Sequence, residues 1–318
     1  MNERASQAGS AEERSEQPDE SSREDPVGVS REHPQLHRLP PEEIVGLLLD
    51  GEQRVVPAVR AATDQIVAAA RLIADRLRCG GRLAFVGAGT SGRVAFTEAA
   101  ELPGTFGLDD GRIVAIIAGG TEGTDGHEDD VDLAKRDLVD LAPTTGDVVV
   151  AVAASGTTPY TIELARGAAS HGADVVAVVN TSESTLAQLA NLAIEVPVGP
   201  EVLRGSTRLS AGTAQKVALN ALTTTAMTLL GRVHGDVMVD VVPANAKLRD
   251  RAVGIAAEIA GTSPDDARKA LTACDWNTRA AILHLIAGLP PDEARHLAAE
   301  HATLQAALDS VDKQSGAG

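Results

Sequence analysis

The sequence has few aromatic residues and far fewer positive than negative charges. Aromatic residues make up 2% of the 318 residues while 43% are hydrophobic, so Ala, Val, Leu and Ile must fill the core. A formal charge of −17 argues against a nucleic-acid surface, because phosphate backbones bind clustered Lys and Arg. The sequence therefore predicts no nucleic-acid partner.

Two further absences concern the compartment. The two cysteines, Cys79 and Cys274, lie far apart without C-x-x-C spacing, which excludes a disulfide framework and is typical of a reducing compartment. No apolar run approaches the roughly 20 residues that cross a bilayer, and the N-terminus has no hydrophobic signal core. We expect a cytoplasmic protein with no membrane partner.

The residues that are present divide the chain into four segments. Residues 1–34 are rich in Glu, Ser, Arg and Asp and nearly free of large apolar side chains, which predicts a disordered acidic tail. The pattern predicts N-terminal helices and one α/β domain over residues 35–245, a C-terminal helical module over residues 246–310, and a tail over residues 311–318. The module's role stays open between packing or dimerisation and a lid over a substrate.

Strand and helix patterns alternate within the second segment. The predicted strands, which read as continuous apolar runs, lie near residues 82–86, 112–118, 147–153, 174–179 and 193–197. This alternation predicts an α/β fold with a parallel sheet between two layers of helices. Because ligands bind beyond the carboxyl ends of the strands in such sheets, the loops at those ends are the candidate site.

The loop Gly87–Gly92 follows the first strand and opens a helix. A glycine-rich turn there is an anion site, because backbone N–H groups and the positive end of the helix dipole face the ligand. Thr90 and Ser91 add two hydroxyl groups. The G-x-G-x-x-G spacing also fits a dinucleotide site, but no carboxylate ends the next strand, which runs into Gly119–Gly120. A sugar phosphate therefore fits better than NAD.

A second hydroxyl-rich loop follows the third strand in the equivalent position. Ser155, Thr157 and Thr158 precede Pro159, which starts another helix, and the two loops together could hold one phosphosugar. The alternative is an ordinary Ser/Thr cap before a proline-started helix. Gly205–Thr207 is predicted to form another turn that faces a ligand.

Two glutamates are candidates for acid–base chemistry. Glu101 precedes Leu102-Pro103, where we expect its helix to end, and the negative end of the helix dipole would favour the protonated form of a general acid. An exposed helix-terminal glutamate is the alternative. Glu128 has capping-box spacing from Asp125, so it could simply bind a backbone N–H. A metal bound by His127 and the acidic residues lacks a second correctly spaced histidine pair or cysteine.

These features occur within a longer series of motifs in a fixed order. The matching segments are Phe85–Arg93, Glu101 through Thr105–Gly107, Ile117–Gly120, Glu128–Asp129, Ala153–Gly156 with Thr158–Tyr160, Gly205–Arg208, Ala211–Lys216 and Met238–Val242. In them the chain resembles the N-acetylmuramic acid 6-phosphate etherases, which carry a sugar isomerase (SIS) domain. Glucokinase regulatory proteins look similar but bind phosphosugars without converting them.

The resemblance implies a three-layer, flavodoxin-like SIS domain and a carbon–oxygen lyase. The substrate would be a phosphorylated amino sugar, N-acetylmuramic acid 6-phosphate. Elimination at the C3 lactyl ether and then hydration would give N-acetylglucosamine 6-phosphate and D-lactate. Glu101 would be the acid that protonates the lactyl oxygen, and Glu128 the second catalytic carboxylate and candidate base at C2.

The resemblance also implies a binding mode and a partner. The phosphate would lie among the hydroxyl groups of the two loops, which are those of Thr90, Ser91, Ser155, Thr157 and Thr158. No metal and no organic cofactor is implied. The family's members look like homodimers whose partner contributes to the pocket, so we expect a homodimer here.

Three departures from the family pattern keep a second function open. Ser30–Pro40 replaces the segment with which the family usually begins, and Ser210 stands where the family commonly has a lysine. Glu98 and Leu102–Gly104 replace an Asp and a Cys-Pro-Pro. The first two departures favour a non-catalytic phosphosugar-sensing protein as the alternative. An aldose–ketose phosphate isomerase would need a base between C1 and C2, and no histidine motif supplies one.

Overall fold

The structure, a computed structural model, describes residues 35–121 and 125–315. The predicted acidic tail over residues 1–34 and the last three residues of the predicted C-terminal tail lie outside the described residues. No helix in the described ranges is both long enough and apolar enough to cross a bilayer.

One parallel sheet of five strands, in the order β2-β1-β3-β4-β5, forms the centre of the fold. The strands are β1 (Leu83–Gly87), β2 (Ile113–Ile117), β3 (Val148–Ala153), β4 (Asp174–Val179) and β5 (Leu192–Glu195). Each strand lies where an apolar run predicted one. The strand order is that of flavodoxin-like folds, so the predicted fold class is confirmed.

The sheet is buried on both faces because successive side chains of a strand point to opposite sides. All residues of β3 are buried. Its even-numbered residues enter a core that also contains Phe85, and its odd-numbered residues enter a second core that contains Tyr160. The apolar runs are therefore continuous rather than alternating, as parallel sheets covered on both faces require.

Eight helices of the described residues belong to the sheet domain. They are α1 (Pro41–Glu52), α2 (Val55–Ala61), α3 (Thr63–Arg78), α4 (Gly89–Phe106), α5 (Val131–Leu141), α6 (Pro159–Ser170), α7 (Thr185–Leu189) and α8 (Ser210–Leu229). Helices α2, α3, α4 and α8 share the first core, and α5, α6 and α7 share the second. These two helical layers and the sheet form the three predicted layers.

The C-terminal module has a core of its own. It comprises the hairpin β6 (Val233–His234) and β7 (Val237–Met238), then α9 (Ala246–Ala260), α10 (Pro264–Ala273), α11 (Thr278–Ala287), α12 (Pro291–Glu300) and α13 (Leu304–Ser315). The side chains of Ser263 and Asn277 cap α10 and α11. Helix α13 continues past residue 310, where the sequence predicted the module to end.

A buried ion cluster joins this module to the sheet domain. The Asp240 carboxylate accepts hydrogen bonds from Arg279 Nη2 at 2.5 Å and from Arg232 Nη1 at 3.2 Å. Arg279 is 7% exposed and also donates to the carbonyl of Gly231. Burial raises the pKa of Asp240, and the two guanidinium groups oppose that shift.

Candidate active site

The two hydroxyl loops leave the sheet at the point where the strand order reverses. Strand β1 pairs with β2 on one side and with β3 on the other, and Gly87 is in register with Val152. The carboxyl ends of β1 and β3 therefore flank the crevice in which open parallel sheets bind ligands. The structure brings the first loop and the second loop to neighbouring strand ends.

The first loop passes directly into α4. Ala88 precedes the helix and offers no side-chain cap, and Thr90 and Ser91 lie half-buried in the first turn. A Cβ on Gly92 would lie 2.8 Å from the Gly87 carbonyl oxygen, so this tight turn requires glycine there. Since no side chain of the loop caps the helix, its positive end remains available to an anion.

The second loop has hydroxyl groups that cap no helix. Thr158 is the residue before α6, yet its side chain makes no capping hydrogen bond. Ser155 Oγ accepts hydrogen bonds from the backbone N of Thr157 at 3.2 Å and from Thr157 Oγ1 at 2.9 Å. The capping alternative for this loop is therefore wrong for Thr158, and a ligand remains the better explanation of its hydroxyl groups.

Glu128 lies beside the second loop. Its backbone carbonyl accepts a hydrogen bond from the N–H of Tyr160, in the first turn of α6, at 3.0 Å. The capping box proposed for Asp125 and Glu128 is wrong, because α5 begins at Val131 and the Asp130 side chain caps it through the N–H of Leu133. Glu128 is thus held in the connection between β2 and α5, next to residues that follow β3.

Glu101 lies on α4, but not at its end. The expectation that the helix stops before Leu102-Pro103 is wrong, because α4 includes Pro103 and ends at Phe106, with Gly107 in the left-handed conformation. The Glu101 side chain is 67% exposed, and its carboxylate lies 3.8 Å from Lys216 Nζ. The negative end of the helix dipole lies beyond Glu101, because the helix continues for five more residues.

Glu101 is distant from the hydroxyl loops of its own chain. Ten residues of α4 separate it from Ser91, and at a rise of about 1.5 Å per residue they span about 15 Å. Glu128 and the second loop are close together, whereas Glu101 and the first loop are at different parts of one helix. Within one chain, the predicted site residues therefore form two sets, one with Glu128 and the hydroxyl loops and one with Glu101.

A buried glutamate lies beside Glu101, at a position to which the sequence assigned no role in the site. Glu98 is buried, accepts a hydrogen bond from Lys216 Nζ at 2.6 Å and another from Thr223 Oγ1 at 2.5 Å. It occupies the face of α4 that carries Ala95 and Leu102, three and four residues away, and this spacing would have indicated burial. The Glu98 contact fixes the Lys216 ammonium group next to Glu101.

The described residues hold no cluster of His, Cys, Asp and Glu that could bind a metal ion. A cavity of about 660 Å³ exists, but Arg112, Arg232 and Arg279 line it at the amino ends of the strands, away from both loops. Those guanidinium groups donate to carbonyls such as Leu77 O and Gly107 O. This cavity belongs to the junction of the two modules and not to the candidate site.

Comparison with known proteins identifies the family. Residues 51–180 match the model of the SIS domain. The chain is 45% identical over 216 residues to the N-acetylmuramic acid 6-phosphate etherase of Yersinia pestis (strain Pestoides F), over 66% of this chain and 73% of the relative. The etherase of Yersinia pseudotuberculosis serotype O:1b (strain IP 31758) matches with the same figures. The chain belongs to the N-acetylmuramic acid 6-phosphate etherase family.

Solved structures resemble this etherase-family chain less closely. A phosphoheptose isomerase from Francisella tularensis matches 59% of this chain and 97% of its own, with 16% identity and a TM-score of 0.46.

The residue that departs from the etherase-family pattern at position 210 lies in the first turn of α8. Ser210 is buried, its hydroxyl donates to Glu52 Oε1 at 3.2 Å, and its backbone N–H donates to Glu201 Oε2 at 3.1 Å. A lysine at this position would face these two carboxylates. The substitution therefore affects the contact of α1 with α8.

Proposed function

We propose that the chain is an N-acetylmuramic acid 6-phosphate etherase, a carbon–oxygen lyase of cell-wall amino sugar catabolism. It would convert N-acetylmuramic acid 6-phosphate and water to N-acetylglucosamine 6-phosphate and D-lactate. The observation that carries the proposal is family membership at 45% identity, in a chain that keeps both Glu101 and Glu128.

The proposed chemistry is an elimination followed by a hydration. A base takes the C2 proton, the C3–O bond breaks with its electron pair going to the lactyl oxygen, and an acid protonates that oxygen. Water then adds its hydroxyl at C3 and a proton at C2, so no atom changes oxidation state overall. Carboxyl groups suit both proton transfers. We assign the acid to Glu101 and the base to Glu128.

Lys216 is placed to stabilise the ionised form of Glu101. Its ammonium group lies 3.8 Å from the Glu101 carboxylate and is held there by buried Glu98. When Glu101 gives its proton to the departing oxygen, a carboxylate forms beside this fixed positive charge, which stabilises it. The same carboxylate can then accept a proton from the water that adds at C3.

The phosphate of the substrate is assigned to the two hydroxyl loops. Thr90 and Ser91 lie in the uncapped first turn of α4, and the hydroxyl groups of the second loop lie at the start of α6. Both helices therefore direct the positive ends of their dipoles toward the crevice between β1 and β3. The residues assigned to the phosphate are Thr90, Ser91, Ser155, Thr157 and Thr158.

The active unit that we propose is a homodimer with composite sites. Glu101 and Ser91 lie about 15 Å apart along α4, and we propose that a second chain supplies Glu101 to the sugar bound at these loops. Phe96 is 37% exposed on α4, and the Glu101 side chain of the same helix is 67% exposed. Pairing of this helix with a second copy would bring Glu101 to the other chain's loops.

The compartment that fits this function is the cytoplasm. Cys79 and Cys274 are both free thiols, one exposed and one buried. Free thiols without a disulfide framework are typical of a reducing compartment.

Release of D-lactate from N-acetylmuramic acid 6-phosphate tests the proposed function. We expect turnover by the purified wild type and a loss of at least about a hundredfold in kcat for Glu101→Gln and Glu128→Gln, because each amide can neither give nor take the proton. Binding of N-acetylglucosamine 6-phosphate should persist in both variants.

Glu293→Gln is the matched control, since Glu293 is an exposed glutamate of α12 outside the site. It should retain wild-type turnover. Tight binding of the substrate by the wild type without any lactate would contradict the etherase and favour a phosphosugar-sensing protein.

A further inference from the structure

A small cavity adjoins Glu101 between the sheet domain and the C-terminal module. It has a volume of about 180 Å³, and its lining includes Glu101, Met238, Val241, Leu248 and Arg251. A volume below the roughly 300 to 1,000 Å³ of sites for drug-sized ligands suits one substituent of a substrate better than a whole sugar phosphate. Met238 and Val241 belong to a sequence motif to which the proposed chemistry gives no role.

The cavity has an apolar wall and an unpaired guanidinium group. Val241 is buried, and Met238 and Leu248 are half-buried, so three apolar side chains form the wall. Arg251 follows Leu248 by three residues on α9 and therefore shares its face. Arg251 is exposed and makes no hydrogen bond or ion pair with any residue in the described ranges.

Arg251 is the cation at this cavity that remains free for a ligand. Lys216 also lies near Glu101, but its ammonium group is 2.6 Å from Glu98 Oε2 and already belongs to that pair. A free guanidinium group offers a planar pair of donors, which matches the geometry of a carboxylate. The cavity thus combines a carboxylate binder, an apolar wall and the proposed acid.

These three features match the leaving group of the proposed reaction. A lactyl ether carries a carboxylate, a methyl group and the ether oxygen on one carbon atom. We propose that the cavity is the lactyl pocket, in which Arg251 binds the lactyl carboxylate and Met238, Val241 and Leu248 pack against the methyl group. This inference rests on the proposed etherase function and deepens it.

The lactyl pocket would orient the bond that breaks. With the carboxylate held by Arg251 and the methyl group against the apolar wall, the third substituent of that carbon, the ether oxygen, turns toward Glu101. The pocket would also select for a 3-O-lactyl sugar over one with a free 3-hydroxyl group. In the composite dimer, the lactyl pocket of one chain would face the hydroxyl loops of its partner.

Arg251→Gln in the full-length protein tests the lactyl pocket. We expect kcat/KM for N-acetylmuramic acid 6-phosphate to fall about 10- to 100-fold, as for loss of a charge-assisted carboxylate contact. Inhibition by N-acetylglucosamine 6-phosphate, which lacks the lactyl group, should stay within about twofold of wild type. Arg251→Lys should recover part of the loss, because it keeps the charge but not the planar pair of donors.

Lys247→Gln is the charge-matched control, since Lys247 lies one turn earlier on α9 and does not line the cavity. It should retain wild-type kcat/KM. Undiminished turnover by Arg251→Gln, or an equal loss of N-acetylglucosamine 6-phosphate binding, would overturn the lactyl pocket while leaving the etherase intact. A wild type that releases no lactate would overturn the proposed function and this inference with it.

Discussion

Lys216 has two carboxylate neighbours, Glu98 and Glu101, which differ in burial. Mutations can therefore separate its role in stability from its role in the chemistry. Glu98 is 6% exposed at the side chain and Glu101 is 67% exposed, while Lys216 itself is 33% exposed. A buried carboxylate without a counter-ion is costly, whereas an exposed one is not. The structural role of Lys216 therefore concerns Glu98, and the chemical role that we propose for it concerns Glu101.

We predict that Lys216→Met destabilises the fold by about 2 kcal/mol, a value reduced for the partial exposure of the lysine. Adding Glu98→Gln should restore most of that stability, because a buried amide needs no counter-ion. Lactate release should remain low in the stable double variant, because no ammonium group then faces Glu101. Chemical denaturation and lactate release measure the two effects. Full turnover by the double variant would show that Lys216 serves Glu98 alone.

Asp147 is a buried carboxylate, paired with Arg82, that contributes to the stability of the protein against acid. Burial alone would raise its pKa, but hydrogen bonds from the Arg82 side chain and from the backbone N–H groups of Arg82 and Thr144 lower the pKa to about 2. Since this folded-state pKa lies below that of an unfolded aspartate, the carboxylate stabilises the protein above about pH 4. That stability is lost as the pH falls toward 2.

We predict that Asp147→Asn lowers the free energy of unfolding at pH 7 by about 2 kcal/mol. The difference between wild type and variant should shrink as the pH falls from about 4 to about 2, where the wild-type carboxyl group is protonated. Denaturation at a series of pH values measures this. Asp132→Asn is the control, because Asp132 forms an exposed pair with Lys135 and should contribute little at any pH. A pH-independent difference would contradict the assigned cause.

At the scale of the element, the strands were predictable from the sequence because both of their faces are buried. Residues 174–179, for example, are apolar at five of six positions, and the structure assigns the strand to those residues. Burial on both faces removes the polar residues that would otherwise interrupt the run. The hydroxyl loops were predictable for a related reason, since each directly follows such a run and precedes a helix.

The end of α4 was not predictable from local rules. Pro103 lacks a backbone N–H, so the carbonyl of Ala99 loses its helical partner, which indicates a stop. The helix continues because Leu102 and Phe106 are both buried in the first core, and this burial outweighs one lost hydrogen bond. Gly107 then ends the helix at a φ of 60°.

The start of α5 shows a second limit of local patterns. Asp125, Asp129 and Asp130 are all possible caps before the apolar positions of that helix, and local spacing alone favoured Asp125. The structure selects Asp130, while the carbonyl of Glu128 binds the N–H of Tyr160 in α6. The contact between Glu128 and Tyr160 joins segments that are far apart in the sequence. The pattern of residues around the start of α5 therefore does not indicate it.

At the scale of the whole molecule, the separation of the two glutamates is the feature that the sequence could not supply. Motif order places both in one site, whereas the described residues of one chain hold them in separate groups. Glu128 lies with the second loop, and Glu101 lies with Lys216 and the lactyl pocket. In a twofold dimer each site would take one group from each chain. The sequence motifs name candidate residues of the site, and they do not say which chain would provide each.

Mixing two inactive variants tests this composite site. In a dimer of one Glu101→Gln chain and one Glu128→Gln chain, one site carries both substitutions and the other carries neither. If subunits exchange at random, half of the dimers are mixed, so we predict that an equal mixture recovers about a quarter of wild-type lactate release. Each variant alone should remain inactive. If each site lay within one chain, every site in the mixture would lack one glutamate, and mixing would recover no activity.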